Sequence, residues 1–148
     1  MPCLAWDLPD GPSAASVTYI EGAHAMLVTG DPGSRSLLAE APERFRASGQ
    51  VGDAHMATML WAMAEAFFGT RTSASAARDA YVGEAEASGA EWARTWAQWC
   101  TGLVELRHGE AERALAHLQQ ALAGNRRSGT AGDRCGAWRP WPGRWRPP

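Results

Sequence analysis

Between residues 88 and 129 the apolar positions recur in steps of three and four. Trp92, Trp96, Trp99, Leu103 and Leu106 fall on one face of a predicted helix. Ala111, Ala114, Leu115, Leu118, Ala121 and Leu122 draw a matching stripe on a second helix. His108-Gly109-Glu110 interrupts the pattern between them. Gly109 suits the left-handed position that ends a helix, and Glu110 and Glu112 enter the next first turn, where the helix dipole favours acids. The stretch reads as an antiparallel helical hairpin, and neither helix can bury its stripe without a neighbour.

Two further hairpins precede it. Ser13 is a candidate cap for a helix reaching Val28, with Val17, Ile20, Ala23 and Leu27 as its apolar stripe. After Gly30-Asp31-Pro32-Gly33, its partner carries Leu37, Leu38, Ala41 and Phe45. Pro42 stands inside that helix, where a missing amide costs ~3 kcal/mol, a conflict that the pattern does not explain. Asp53 is placed to cap the next helix, whose apolar face is Ala57, Leu60, Trp61, Ala64, Phe67 and Phe68. A turn over Gly69–Ser73 follows, with Ser73 as the candidate cap of a weaker helix in which Ala74, Ala77 and Tyr81 face inward.

The hairpins keep a register. Ser48-Gly49, Ser88-Gly89 and Ser128-Gly129 recur at a spacing of 40 residues, and so do the small residues Gly22, Ala62 and Gly102. Interior turns fall at Gly30, Gly69 and Gly109, and the exit Gly49-Gln50-Val51-Gly52-Asp53 matches Gly129-Thr130-Ala131-Gly132-Asp133. A helix-pair period of this size predicts an all-α, TPR-like helical-hairpin solenoid with about three repeats of ~40 residues. The expected division is an irregular segment over 1–12, a solenoid over 13–133 with repeats of about 13–49, 53–89 and 90–129, and an irregular tail over 134–148.

Gly102, Gly109, Glu110, Ala114, Leu118 and Ala121 resemble the tetratricopeptide (TPR) signature of small, turn, acidic, Ala and large apolar positions. Long units of this kind in an Ala-, Leu- and Arg-rich chain, with the S-G-x-x-G-D exit, resemble the C-terminal half of large ATP-binding LuxR-type bacterial transcriptional regulators. The likeness covers roughly residues 12–137. It implies a segment that senses a protein, a peptide or a small inducer and passes the signal to an ATPase and a DNA-binding module. The chain carries neither of those modules, so sequence-specific DNA binding by this chain alone is not expected. The alternative is a stand-alone TPR adaptor that binds a peptide in its concave groove. An upstream P-loop ATPase, or a helix-turn-helix in neighbouring coding sequence, would favour the regulator.

Charge and composition narrow the chemistry. The formal net charge is −2, divided unevenly: residues 1–124 carry 8 Arg against 15 acids, and residues 125–148 carry 6 Arg against one acid. There is no lysine, which excludes a Walker-type or Schiff-base lysine within this polypeptide. Cys3, Cys100 and Cys135 form no CxxC, so neither a zinc clip nor a disulfide framework is indicated, and Cys100 reads as a small core residue. No apolar run approaches a membrane span, and the start lacks the pattern of a signal peptide. A cytoplasmic protein without membrane contact is expected. In the tail, Pro140 stands where Leu60 occurs eighty residues earlier, and the last eleven residues contain four prolines. Either a frame change or truncation near Ala137–Trp138 has replaced a fourth repeat, or the tail is a disordered cationic segment. Both predict an unsealed apolar end that favours self-association.

Candidate catalytic groups are sparse. His24, His55, His108 and His117 form no HxxxH pair, and the acids have no partner nucleophile or phosphate loop. No catalytic residue, cofactor or metal is expected, and the chain reads as a non-enzyme. The candidate partner-binding residues are Trp92, Trp96 and Trp99. They form either a row lining the concave groove, since buried Trp is enriched at interfaces, or a stripe of core between repeats, which their heptad-like spacing favours.

Overall fold

The computed structural model describes residues 12–127, and these are all-helical, with six α-helices and no strand among them. The helices are α1 (Pro12–His24), α2 (Ser34–Ala47), α3 (Val51–Phe68), α4 (Arg71–Ser88), α5 (Glu91–Arg107) and α6 (Ala111–Arg127). A π-helical turn over Ala25–Thr29 extends α1. Residues 1–11 and 128–148, with the irregular tail, the final Ser-Gly exit and the position of a fourth repeat, lie outside the described residues. No described helix is long and apolar enough to cross a membrane.

Each helix packs on the next in sequence, and α3 also packs on α5. Two hairpins close by the same device. A Cβ on Gly22 of α1 would sit 2.8 Å from Leu38 Cγ of α2, and a Cβ on Gly102 of α5 would sit 2.8 Å from Leu118 Cγ of α6. These distances are shorter than carbon contacts allow, so glycine in the first helix lets a leucine of the second press against bare backbone. The turn glycines Gly30 and Gly109 take φ of 65° and 86°, the left-handed conformation that ends a helix. The middle turn differs: Gly69 has φ −85° and leaves α3 in an extended conformation.

The helix starts depart from the sequence expectation. Thr70, not Ser73, caps α4: its hydroxyl accepts the Ser73 amide at 3.2 Å while Ser73 Oγ accepts the Thr70 amide at 3.0 Å. Serine therefore supplies the returning half of a capping box usually built with Glu or Gln. Asp53 lies in the first turn of α3 rather than before it, and the Gln50 side chain at the cap position makes no capping bond, accepting instead from the Ser48 hydroxyl at 3.1 Å. There the acid acts through the dipole. Ser13 falls within α1, which opens on Pro12, a residue suited to a first helical position.

The core is made of small residues more than of the large apolar stripes. Ala15, Ala41, Phe45, Ala54 and Ala57 join α1, α2 and α3. A second cluster runs from Met26 and Leu38 through Met59, Leu60, Tyr81 and Ala85 to Ala93, Ala97 and Cys100. The expected stripe of α1 is outward instead: Val17 is 50% exposed, Ile20 62% and Leu27 65%. Its inward positions are Ala15, Thr18, Gly22 and Met26, because α2 meets the face on which Gly22 permits close approach. Pro42 is buried inside α2.

Candidate functional site

Helix α5 divides its surface between two neighbours. Ala93, Ala97, Cys100 and Val104, spaced by four, three and four, are buried against α3 and α4. Small side chains allow the axes to approach, and this seats α5 between the two preceding helices. The tryptophans flank that contact. Trp92 stands edge-on to His55 of α3 with ring centroids 5.1 Å apart, and Trp96 and Trp99 stand edge-on to each other at 5.7 Å. The sequence-predicted trio is thus split: Trp96 and Trp99 belong together, while Trp92 is the edge of a different contact.

Trp96 and Trp99 line a cavity of about 440 Å³ that opens between α5 and α6. Thr95 completes its α5 wall, and Leu118, Ala121, Leu122 and Asn125 form the α6 wall. Trp96 is 42% exposed and Leu122 60%, so a large apolar surface faces solvent here. The sequence reading placed Leu122 on the inward stripe of α6. In the structure Ala114 and Ala121 hold the buried positions, and Leu115 and Leu122 are carried outward.

A shift of 40 residues shows what this cavity corresponds to. Trp99, Ala121, Leu122 and Asn125 map onto Met59, Tyr81, Val82 and Ala85, which line the groove between α3 and α4. That groove is filled by α5, whose Ala93, Ala97 and Cys100 pack on Met59, Tyr81 and Ala85. A shift of 80 residues leads to Tyr19, Ala41 and Phe45, the groove between α1 and α2, filled by Ala54 and Ala57 of α3. Among the described residues, the positions 40 and 80 earlier in the chain are thus packed in clusters with the following helix, whereas the cavity between α5 and α6 is open. The wall supplied by α6 was missed in the sequence, although the 40-residue period carried the signal.

The filled groove between α3 and α4 also contains the polar groups that most resemble a reaction centre. Glu84 accepts a hydrogen bond from the Thr58 hydroxyl at 3.2 Å, pairs with the Arg46 guanidinium and lies 3.5 Å from His55 Nδ1. The His55 and Tyr81 rings are 4.9 Å apart, and His55 Nε2 and the Tyr81 hydroxyl are buried without a hydrogen-bond partner. Burial pushes the Cys100 thiol up to about 12. Burial also raises the Tyr81 phenol well above its ordinary range, with Cys100 and Glu84 adding to the shift. Both groups hold their protons at neutral pH, so the thiol is not poised as a nucleophile. Among the described residues no cluster of three His, Cys, Asp or Glu side chains could hold a metal ion.

No protein-family model matches the chain, and neither a curated protein nor a solved structure matches it.

Proposed function

We propose that the chain is a non-catalytic, TPR-like scaffold of three α-hairpins of ~40 residues, which recognises a helical segment of a protein partner in the groove between α5 and α6. The observation that carries this reading is the open cavity walled by Trp96, Trp99, Leu118 and Leu122. Its two equivalents each receive an α-helix through small residues, Ala54 and Ala57 in one and Ala93 and Ala97 in the other. Half-exposed Trp beside Leu is the composition of an interface centre, where aromatic anchors supply most of the binding energy. Sequence separations near one period support the stacking. Arg107 Nη2 donates to the Phe67 carbonyl at 3.1 Å across 40 residues, and Arg71 pairs with Glu110 at 3.3 Å. In the setting implied by the resemblance to LuxR-type regulators, such a groove would be the sensory surface that passes partner binding to the rest of a transcriptional regulator.

The test uses a fluorescent peptide of residues 90–107, the helix that fills the equivalent groove, titrated into the full chain and followed by anisotropy. Saturable binding that Leu122→Glu weakens by about tenfold or more is the expected result. Absence of binding, or binding indifferent to that substitution, would refute the reading.

A further inference from the structure

The open groove has a matching surface at the other end of the same molecule. The residues by which α3 enters the groove before it include Ala54 and Ala57, and Leu60 lies in the cluster that contains Met26 and Leu38; the three are 2%, 0% and 7% exposed. Forty residues after Ala57 and Leu60, α5 uses Ala97 and Cys100, which are 5% and 1% exposed. Forty residues before Ala57 and Leu60 stand Val17 and Ile20 of α1, 50% and 62% exposed. Thus α1 presents, at the register that serves α3 and α5 for docking, an apolar face that no described hairpin covers. The same offset that reveals an unfilled groove on α5 and α6 reveals an undocked face on α1.

We propose that a second copy of this chain fills the groove: the Val17–Ile20 face of α1 in one molecule docks between α5 and α6 of another, over Trp99, Ala121 and Leu122. The contact repeats the geometry by which α3 and α5 are already seated, so it continues the helical stack from one molecule into the next. The two surfaces are different and lie at opposite ends of the stack. The association is heterologous, each molecule offering one face and receiving another, and it does not close on itself as a two-fold dimer does. The chemistry suits both sides. Residues 12–24 carry a single acid, Glu21, and no Arg, and the cavity itself contains no charged side chain. Asp53 of α3 lines a pocket with Ile20 and is the acid that a neighbouring element brings to this face. Residues 128–148 are a poorer occupant, because Pro140 falls one period after Cys100, where a docking helix needs an amide donor.

This inference rests on the open-groove reading above and names the partner. Its test is sedimentation velocity of the full chain from about 1 μM to 1 mM, with the variants Ile20→Glu and Leu122→Glu. Both positions are mostly exposed in the monomer, and helical circular dichroism checks that each variant folds. The wild type should show a weight-average mass that climbs with concentration without stopping at a dimer. Each variant alone should associate at least about tenfold more weakly. An equimolar mixture should recover a 1:1 complex and nothing larger, because one variant keeps the groove and the other keeps the α1 face. A wild type that stays monomeric would overturn the proposal. So would a mixture that stays monomeric, or association that only one of the two variants impairs, the mark of a symmetric contact. If the wild type stays monomeric yet binds the peptide of residues 90–107, self-docking alone is lost. If it does neither, the open-groove reading falls with it.

Discussion

The groove between α3 and α4 and the groove between α5 and α6 are built from residues in the same register, yet they are in opposite states. In the first, Tyr81 and Ala85 are fully buried beneath α5. In the second, Leu122 and Asn125, which stand 40 residues after half-buried Val82 and buried Ala85, are exposed, Leu122 by 60%. The difference comes from what lies over each groove rather than from the groove itself. Where helices pack in succession, a wall is enclosed if a further helix lies over it and open if none of the described helices does. It also explains the separation of chemistry. His55, Thr58, Tyr81 and Cys100 are buried around the covered groove, where burial holds the Tyr81 and Cys100 protons, while the open groove is lined by apolar and uncharged side chains.

Several substitutions sharpen that contrast. The largest effect is expected at Tyr81, whose side chain is wholly enclosed. Tyr81→Ala should cost ~3–5 kcal/mol in chemical denaturation, as large-to-small changes at enclosed aromatics do. Tyr81→Phe should cost nothing or stabilise, because the hydroxyl it removes is buried without a partner. A loss in the Phe variant as large as that in the Ala variant would mean that the hydroxyl, not the packing, holds the covered groove.

A smaller effect is expected from alkali. Cys100 has its pKa raised from 9.0 to about 12, and Tyr81 is raised from 10.0. The unfolded chain therefore releases these protons first as pH rises, and the folded chain retains them. Stability from both groups is complete below pH 9.0 and is lost as pH climbs from there toward about 12. The slope should be at most about 1.4 kcal/mol per pH unit for each proton. With no lysine in the chain, few other groups titrate in that range. Cys100→Ala should delay the onset of the decline to the range in which tyrosine ionises. An unchanged onset would show that the thiol is not shielded by the covered groove.

The smallest effect belongs to the open groove. Leu122→Ala, at a side chain already 60% exposed, should lower stability by about 1 kcal/mol or less. It should nevertheless weaken binding of the 90–107 peptide. Equal losses at Leu122 and at fully buried Leu38 would erase the distinction between the two ends of the chain.

Helix number, boundaries to within a few residues, and the small-residue landmarks were all legible in the sequence. Apolar periodicity and glycine placement are local signals, and Gly22 and Gly102 act locally, each against a leucine sixteen residues on. What the stripes did not reveal was which of two apolar faces would be covered. Val17, Ile20 and Leu27 share a face as convincingly as Leu38, Ala41 and Phe45 do, but only the second set has a helix against it. Alanine was the more informative residue: Ala54, Ala57, Ala93 and Ala97 mark the helix contacts. The Trp92–Trp96–Trp99 row was visible as a row. Its division between His55 and the α6 wall depends on contacts 19 to 37 residues away in sequence, beyond the reach of a helical pattern.

Peptide-resolved hydrogen exchange on the dilute full chain tests the contrast between covered and open grooves most directly. The account predicts the slowest exchange in α2 to α5, each of which packs on the helix before and the helix after it, and faster exchange in α1 and α6. Raising the protein concentration should slow exchange in α1 and α6 and leave the centre unchanged. Exchange that is uniform along the chain, or slowest in α6, would contradict it.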